Sequence, residues 1–373
     1  MINNKKNNLF TIGVEEEYML CDPNTGDLIN KAYDLMDLIS EDHKERFSYE
    51  LLLSEIESNT KICKDTDEAI NDIIFYRNLL NDIGKKINYQ IGISGTHPTA
   101  LSSEQQFINN ESYDWVSNEL KYYASKNITF STHVHIGIND PKDSIHITNI
   151  ARRWIAPMLA LSANSPFFEG NLTGMKSSRT FQFGLFPRTN IPNYINSIDD
   201  YLDIIKKFKL TNSITKSRQI WWKIRPHINY GTVEFRMCDA QRSLRNIKAF
   251  ISIFQSLVHR IYNDKSTLVK YNQEFLNDSL WKASSKDFNV EIIDPYDNKI
   301  ITMKDMINKL LDYIKPSLLY FNNYNSTIDI INDIVQNGTE CDLQLNEYHR
   351  FDDSNKGIDN LKKYLMNNVE YSL

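Results

Sequence analysis

The chain has 373 residues, 41% of them hydrophobic and 24% charged, with a formal net charge of −6. That composition supports a sizeable core, and with no long basic run interleaved with aromatics, nucleic acid is not an expected partner. Four scattered cysteines, Cys21, Cys63, Cys238 and Cys341, form no Cys-x-x-Cys pair, so neither a zinc knuckle nor a disulfide framework is expected.

Residues 1–8 are polar and lack the apolar core of an export signal, which predicts a cytoplasmic protein. Residues 9–20 read as a strand, 22–26 as a turn, 32–41 as a helix and 49–60 as an extended stretch. The spacing then predicts a helix over 65–87. Asp65 can cap it, Glu68 follows three residues on, and Ile70, Ile73, Ile74 and Leu79 recur on one face. Residues 89–97 and 128–138 read as strands. A helix is expected over 143–162, and the most apolar run, 154–163, is too short to span a bilayer, so no membrane partner is expected. Residues 164–193, with Pro166, Pro187 and Pro192, read as a long irregular insertion of the kind that carries function. Residues 220–238 read as a hairpin turned at Asn229-Tyr230-Gly231, and helices follow at 243–262, 303–318, 327–335 and 360–369.

No internal repeat or sharp compositional boundary divides the chain, so one domain over residues 1–373 is expected. Hairpin signals with helices between them predict an α+β fold: an antiparallel or mixed sheet covered by helices, rather than a doubly wound parallel sheet. Neither Gly-x-Gly-x-x-Gly nor Gly-x-x-x-x-Gly-Lys-Ser/Thr is present, so a nucleotide would have to be held by metal ions and arginines.

Chemistry concentrates in four short stretches. Alternate strand residues share a face, which would place Glu15 and Glu17 about 6.6 Å apart, and likewise His133 with His135 and Glu234 with Arg236. Each has a plain reading: a solvated strand start, core histidines, a cross-strand ion pair. Glu15 and Glu17 lie between Ile12, Val14 and Tyr18, however, where a charged face is costly unless it coordinates something. Glu50 and Glu57 are seven residues apart and cannot share a face on one regular strand, so a bend or two strands must bring them together. Hard oxygen donors with an occasional imidazole suit Mg2+ or Mn2+ bound with a nucleotide's phosphates. Glu15, Glu17, His133 and Glu234 are therefore candidate metal ligands, and Glu50 and Glu57 belong to the same wall of a metal-nucleotide site. His135 is a candidate for substrate contact, and Arg225 and Arg236 for phosphoryl contact.

With these motifs stand Ser-Gly-Thr-His-Pro at 94–98, Leu-Ser-Ala-Asn-Ser-Pro-Phe-Phe-Glu-Gly at 161–170, Phe-Pro-Arg at 186–188, Trp-Trp-Lys-Ile-Arg-Pro-His at 221–227 and Gly-Thr-Val-Glu-Phe-Arg-Met-Cys-Asp at 231–239. In this ordered set the chain resembles the carboxylate-amine ligase family of type 2 glutamate–cysteine ligases, related in fold to glutamine synthetase. The resemblance implies a partly open funnel of antiparallel strands with helices outside, ATP as co-substrate, and two or more Mg2+ ions at the carboxylates named above. It also implies amide synthesis through an acyl phosphate, with glutamate and cysteine as the expected pair, and is compatible with a homodimer. Leu172, Ser178 and Ser285 depart from the family pattern, and these departures leave the amino-acid substrates and the strength of the activity open.

A carboxylate reacts with an amine only once its oxygen becomes a leaving group, so ATP must first phosphorylate it. The protein's task is then positioning and charge neutralisation. Arg179 and Arg188, from the long insertion, are candidates to bind substrate carboxylates. Two rivals differ in outcome: a guanidino-type kinase on a related sheet would leave a stable phosphorylated acceptor, and a non-catalytic metabolite-binding protein would bind ATP without releasing ADP.

Overall fold

The computed structural model describes residues 8–264, 270–367 and 369. The polar segment ahead of residue 8 and the last residues of the helix expected over 360–369 extend outside that range. Strands β1 (Ile12–Cys21), β2 (Phe47–Tyr49), β3 (Glu55–Asn59), β4 (Gln90–Gly92) and β5 (Thr132–Gly137) are followed by the short pair β6 (Phe167–Phe168) and β7 (Asn171–Leu172). Then come β8 (Ile224–His227), β9 (Thr232–Phe235), and a second short pair, β10 (Glu291–Ile293) and β11 (Ile300–Thr302). Seven strands form one sheet in the order β2-β3-β1-β5-β9-β8, with β4 also on β1, and every pairing is antiparallel. The sheet does not close into a barrel.

The register sorts the sheet into alternating rows. Val14, Val134, Phe235 and Ile224 pair across four strands, as do Ile12, Ile136, Val233 and Pro226. Apart from Pro226, a buried residue outside that grouping, these side chains belong to one buried apolar cluster with Phe250, Phe254 and Leu257 of helix Leu244–Asn263. Phe235 stacks on Phe254 with ring centroids 4.3 Å apart. On the other face lie the rows Gly13–His135–Glu234–Arg225, Asn59–Glu15–His133 and Ser48–Glu57–Glu17. A period of two thus buries one face in hydrocarbon and leaves the opposite one charged.

The helix expected over 65–87 is observed at Thr66–Ile87, where Asp65 accepts the Glu68 amide at 2.9 Å and Lys85 and Lys86 occupy the last turn. The helix expected over 143–162 is two, Pro141–Ala151 and Ile155–Ser162, separated by a tight turn at Arg152–Trp154. The break places Pro157 in a first turn, where its missing N–H costs no helical bond. The insertion at 164–193 is less irregular than expected: it contains helix Ser178–Gly184, capped by Ser177. Gly231, with φ +66°, closes the β8–β9 turn, a backbone state other residues adopt only with strain. Among the described residues, no helix is long and apolar enough to cross a membrane. All four cysteines are buried free thiols.

Candidate active site

A cavity of about 950 Å³ opens over the charged face of the sheet. Glu15, Glu17, Glu50, Glu57, His133, His135, Arg179, Arg225 and Arg236 all line it. Glu234 joins them through its partners. Glu50 and Glu57 meet because β2 runs antiparallel to β3 with Ser48 opposite Glu57, so the chain takes the two-strand route.

Donor atoms of Glu15, His133 and Glu234 lie within 4.8 Å of one another, as do those of Glu17, Glu50 and Glu57. In the first trio, Glu15 reaches His133 Nδ1 at 3.1 Å and His135 Nε2 at 3.0 Å. Burial alone would raise the Glu15 carboxyl, but the two imidazoles outweigh it and hold the pKa well below the usual range. Ser131 fixes the geometry from one step down the strand. Its amide and hydroxyl donate to Glu17 Oε2 at 2.6 and 2.7 Å, and Ser131 Oγ lies 2.7 Å from His133 Nε2. Ser131 Oγ and Arg236 Nη1 thus flank the His133 ring, whose Nδ1 faces the trio. Burial, reinforced by Arg236, keeps His133 neutral, the form that ligates metal. His135 is instead raised: burial opposes the charge, but Glu15 and Glu234 prevail.

Glu234 is fully buried and held by two guanidinium groups. Arg225 meets Oε2 at 2.7 Å through Nε and 2.6 Å through Nη2, and Arg236 Nη1 meets Oε1. Burial would raise its carboxyl, but the arginines hold it far below the ordinary value. Arg236 Nη1 also lies 3.4 Å from His133 Nδ1, and its buried Nε has no hydrogen-bond partner.

The second trio has the opposite electrostatics. Glu50 and Glu57 are pushed well above the ordinary range, first by burial and then by neighbouring carboxylates, chiefly Glu17 for Glu50 and Glu15 for Glu57. Like charges converge here, offset by the Ser131 donors to Glu17 and by Asn59, which donates to Glu57 at 2.8 Å. Five carboxylates and one imidazole over two adjoining trios fit hard divalent cations.

Arg179 enters the cavity from helix Ser178–Gly184, which Asp239 staples down. Asp239 accepts from the Asn164 amide at 2.9 Å, Ser165 Oγ at 2.7 Å and Ser177 Oγ at 2.9 Å. Gly95 permits this approach, since a Cβ there would come within 2.8 Å of the Asp239 carboxyl carbon. Arg188, by contrast, does not line the cavity. Its Nε donates to the Gln219 carbonyl at 3.3 Å and its guanidinium lies over the rings of Phe208 and Trp221. The backbone at Arg188 has a positive φ of 61°. Leu172, Ser178 and Ser285 also stay out of the cavity lining.

Sequence reasoning passed over Glu55. It lines the cavity, is 2% exposed, and has its pKa raised by burial and then by Glu17 and Glu57. Its signal was available: Glu55 and Glu57 alternate on β3 as Glu15 and Glu17 do on β1. Ser131, two residues before His133, carries the same signal. Glu16, between the cavity carboxylates, points through the sheet to a buried ion pair with Arg77.

A family model described as glutamate-cysteine ligase family 2 (GCS2) matches residues 11–359. Among curated proteins, "Putative glutamate–cysteine ligase 2" of Solibacter usitatus is 30% identical over 369 residues, covering 97% of this chain and 94% of that protein. The one of Herpetosiphon aurantiacus is 29% identical over 363 residues, covering 96% and 94%. Among solved structures, a glutamate–cysteine ligase from Francisella tularensis in complex with AMP superposes with a TM-score of 0.72 at 13% identity, covering 97% of this chain and 89% of that one. The likeness to that structure is one of fold.

Proposed function

The chain belongs to glutamate-cysteine ligase family 2, whose members are ATP-dependent carbon–nitrogen ligases, and we propose that it joins a carboxylate to an amine through an acyl phosphate. The observation that carries this reading is the pair of adjoining trios, Glu15–His133–Glu234 and Glu17–Glu50–Glu57, on one face of one cavity. Magnesium ions, when bound there, supply charge neutralisation at the phosphates.

The chain's own residues do the rest. Arg236 Nη1 stands beside both His133 Nδ1 and Glu234 Oε1, the atoms a cation would use. Glu15, His133 and Glu234 would hold a cation that neutralises phosphate charge, and Arg236, whose buried Nε has no partner among the described residues, is placed to donate to the transferring phosphoryl group. Arg225 stays anchored, because Nη1 also donates to the Arg218 and Ile220 carbonyls at 2.6 and 3.0 Å. It holds Glu234 in place. At the hairpin end of the cavity, His227 and Tyr230 stack 4.1 Å apart and present an aromatic face to a nucleobase. Ser131 and His135 keep Glu17 and Glu15 oriented throughout. No side-chain nucleophile is required, since the γ-phosphate passes directly to the substrate carboxylate and the amine displaces phosphate. Glutamate and cysteine are the proposed pair, in the cytoplasm, acted on by one domain spanning the chain, with a homodimer compatible with this reading.

The test is an ADP-release screen of carboxylate and amine pairs with Mg2+, followed by mass identification of the product. ADP release that requires both partners, with an amide product, supports the reading. A stable phosphorylated acceptor formed without an amine would overturn it in favour of a kinase.

A further inference from the structure

The carboxylates Glu15, Glu17, Glu50, Glu57 and Glu234 are accounted for by the two trios, but Glu55 is not. It is 2% exposed and faces the cavity, and among the described residues its carboxylate has no hydrogen-bond or ion-pair partner. A buried carboxylate without a partner is costly in its charged form, and a cationic donor brought in by a ligand would stabilise it. A second buried group in the same cavity is also incomplete: Arg179, 2% exposed, has an unpartnered Nε, and its nearest carboxylate contact is a long 3.8 Å to Asp239. Opposite charges that share a cavity and do not pair with each other are arranged for a ligand bearing both.

Register places them at one end. Gly13, Glu15, Glu17 and Met19 are successive positions on the cavity face of β1, a span of about 20 Å. Gly13 pairs with His135 beside the His227–Tyr230 hairpin, whereas Met19 pairs with Glu55. Arg179 lies at this second end, since Nη2 and Nη1 approach the carbonyls of Arg236 and Met237 at 3.3 and 3.4 Å, beyond β9. The two trios lie between these ends.

We propose that Glu55 and Arg179 form a zwitterion subsite, Glu55 receiving the α-ammonium and Arg179 the α-carboxylate of an amino acid whose distal carboxylate reaches toward the trios. Glu55 is then a specificity-determining residue that distinguishes an amino acid from its deaminated analogue. The direction in which the substrate lies rests on the ligase reading, but the subsite's selectivity is measurable without turnover.

Calorimetric titration of the protein with Mg2+ and a non-hydrolysable ATP analogue should show glutamate binding about 10- to 100-fold more tightly than glutarate, the range for a buried charged hydrogen bond. Glu55→Gln should abolish that ratio while leaving Mg2+ affinity unchanged, and Glu55→Asp should retain part of it. Equal binding of glutamate and glutarate by the unaltered protein overturns the proposal whether or not the variants fold. A Glu55→Gln variant that weakens Mg2+ binding and keeps the ratio also overturns it, making Glu55 a metal ligand. Selective glutamate binding without ADP release from any amine pair supports the subsite and defeats the ligase reading instead.

Discussion

Glu15 and Glu16 are neighbours in sequence on opposite faces of β1, and neutralising each should give opposite results. Glu16 accepts from Arg77 Nη2 at 2.8 Å and Nε at 3.1 Å and from the Tyr18 hydroxyl, all in the interior. Arg77 is 0% exposed and also donates to the carbonyls of Gln241 at 2.8 Å, Arg242 at 2.8 Å and residue 369 at 2.6 Å. It therefore ties β1 to helix Thr66–Ile87 and to the chain leaving β9. Glu16→Gln would leave a buried guanidinium with dipoles only, a loss of about 3–5 kcal/mol. That is a large part of the ~5–15 kcal/mol that folds a typical domain. Glu15→Gln removes a carboxylate that His133 and His135 favour, so it should cost some stability but clearly less than Glu16→Gln, while ADP release is lost. Urea unfolding followed by tryptophan fluorescence, with equal m-values, gives both numbers from midpoints. The double variant Glu16→Gln/Arg77→Met should regain part of the loss, because no unpaired charge remains. If Glu16→Gln unfolds at the same urea concentration as the parent, or no earlier than Glu15→Gln, the assignment of faces on β1 is wrong.

Burial pushes His97 down to about 4 from its ordinary 6.5, and its partners explain why. Nδ1 accepts from the amides of Thr99 and Ala100 at 3.3 and 3.0 Å while Nε2 donates to the Gly26 carbonyl at 2.9 Å, so a second proton would face two donors. A depressed histidine stabilises the fold above its unfolded pKa and loses that contribution as pH falls toward the folded one. Stability should drop by about 2 kcal/mol between pH 7.5 and 5 from this residue, and that component should be missing from the urea midpoints of His97→Gln. In the second trio, Glu57→Gln should weaken Mg2+ binding at least about tenfold in calorimetry, with the secondary structure by circular dichroism unchanged. Unchanged Mg2+ affinity would remove Glu57 from the metal set.

Much of the site was legible because strand periodicity is a local property. Glu15 and Glu17, His133 and His135, and Glu234 with Arg225 fall on the faces that alternation dictates, and the register only had to bring those faces together. The Asp65 cap and the β8–β9 hairpin were legible for the same reason. The helix over 143–162 was read through its interruption because both halves keep an apolar pattern. Helices Glu111–Leu120, Ile198–Leu210 and Gln273–Ser285 went unread: the first two are partly exposed, and their polar residues look like loop. Partners distant in sequence were beyond reach. Arg77 lies 61 residues from Glu16, and Asp239 acts on Arg179 through Ser165 and Ser177. Arg188 stands outside the cavity lining, and its sequence neighbourhood does not announce the positive φ found there.

The central claim is that phosphate passes through the substrate's carboxylate. Incubating the protein with Mg2+, ATP, cysteine and glutamate labelled with 18O in its side-chain carboxylate, then weighing the released inorganic phosphate by mass spectrometry, tests it directly. The account predicts one 18O atom in each phosphate for every amide formed. Amide accompanied by unlabelled phosphate would contradict the acyl-phosphate route.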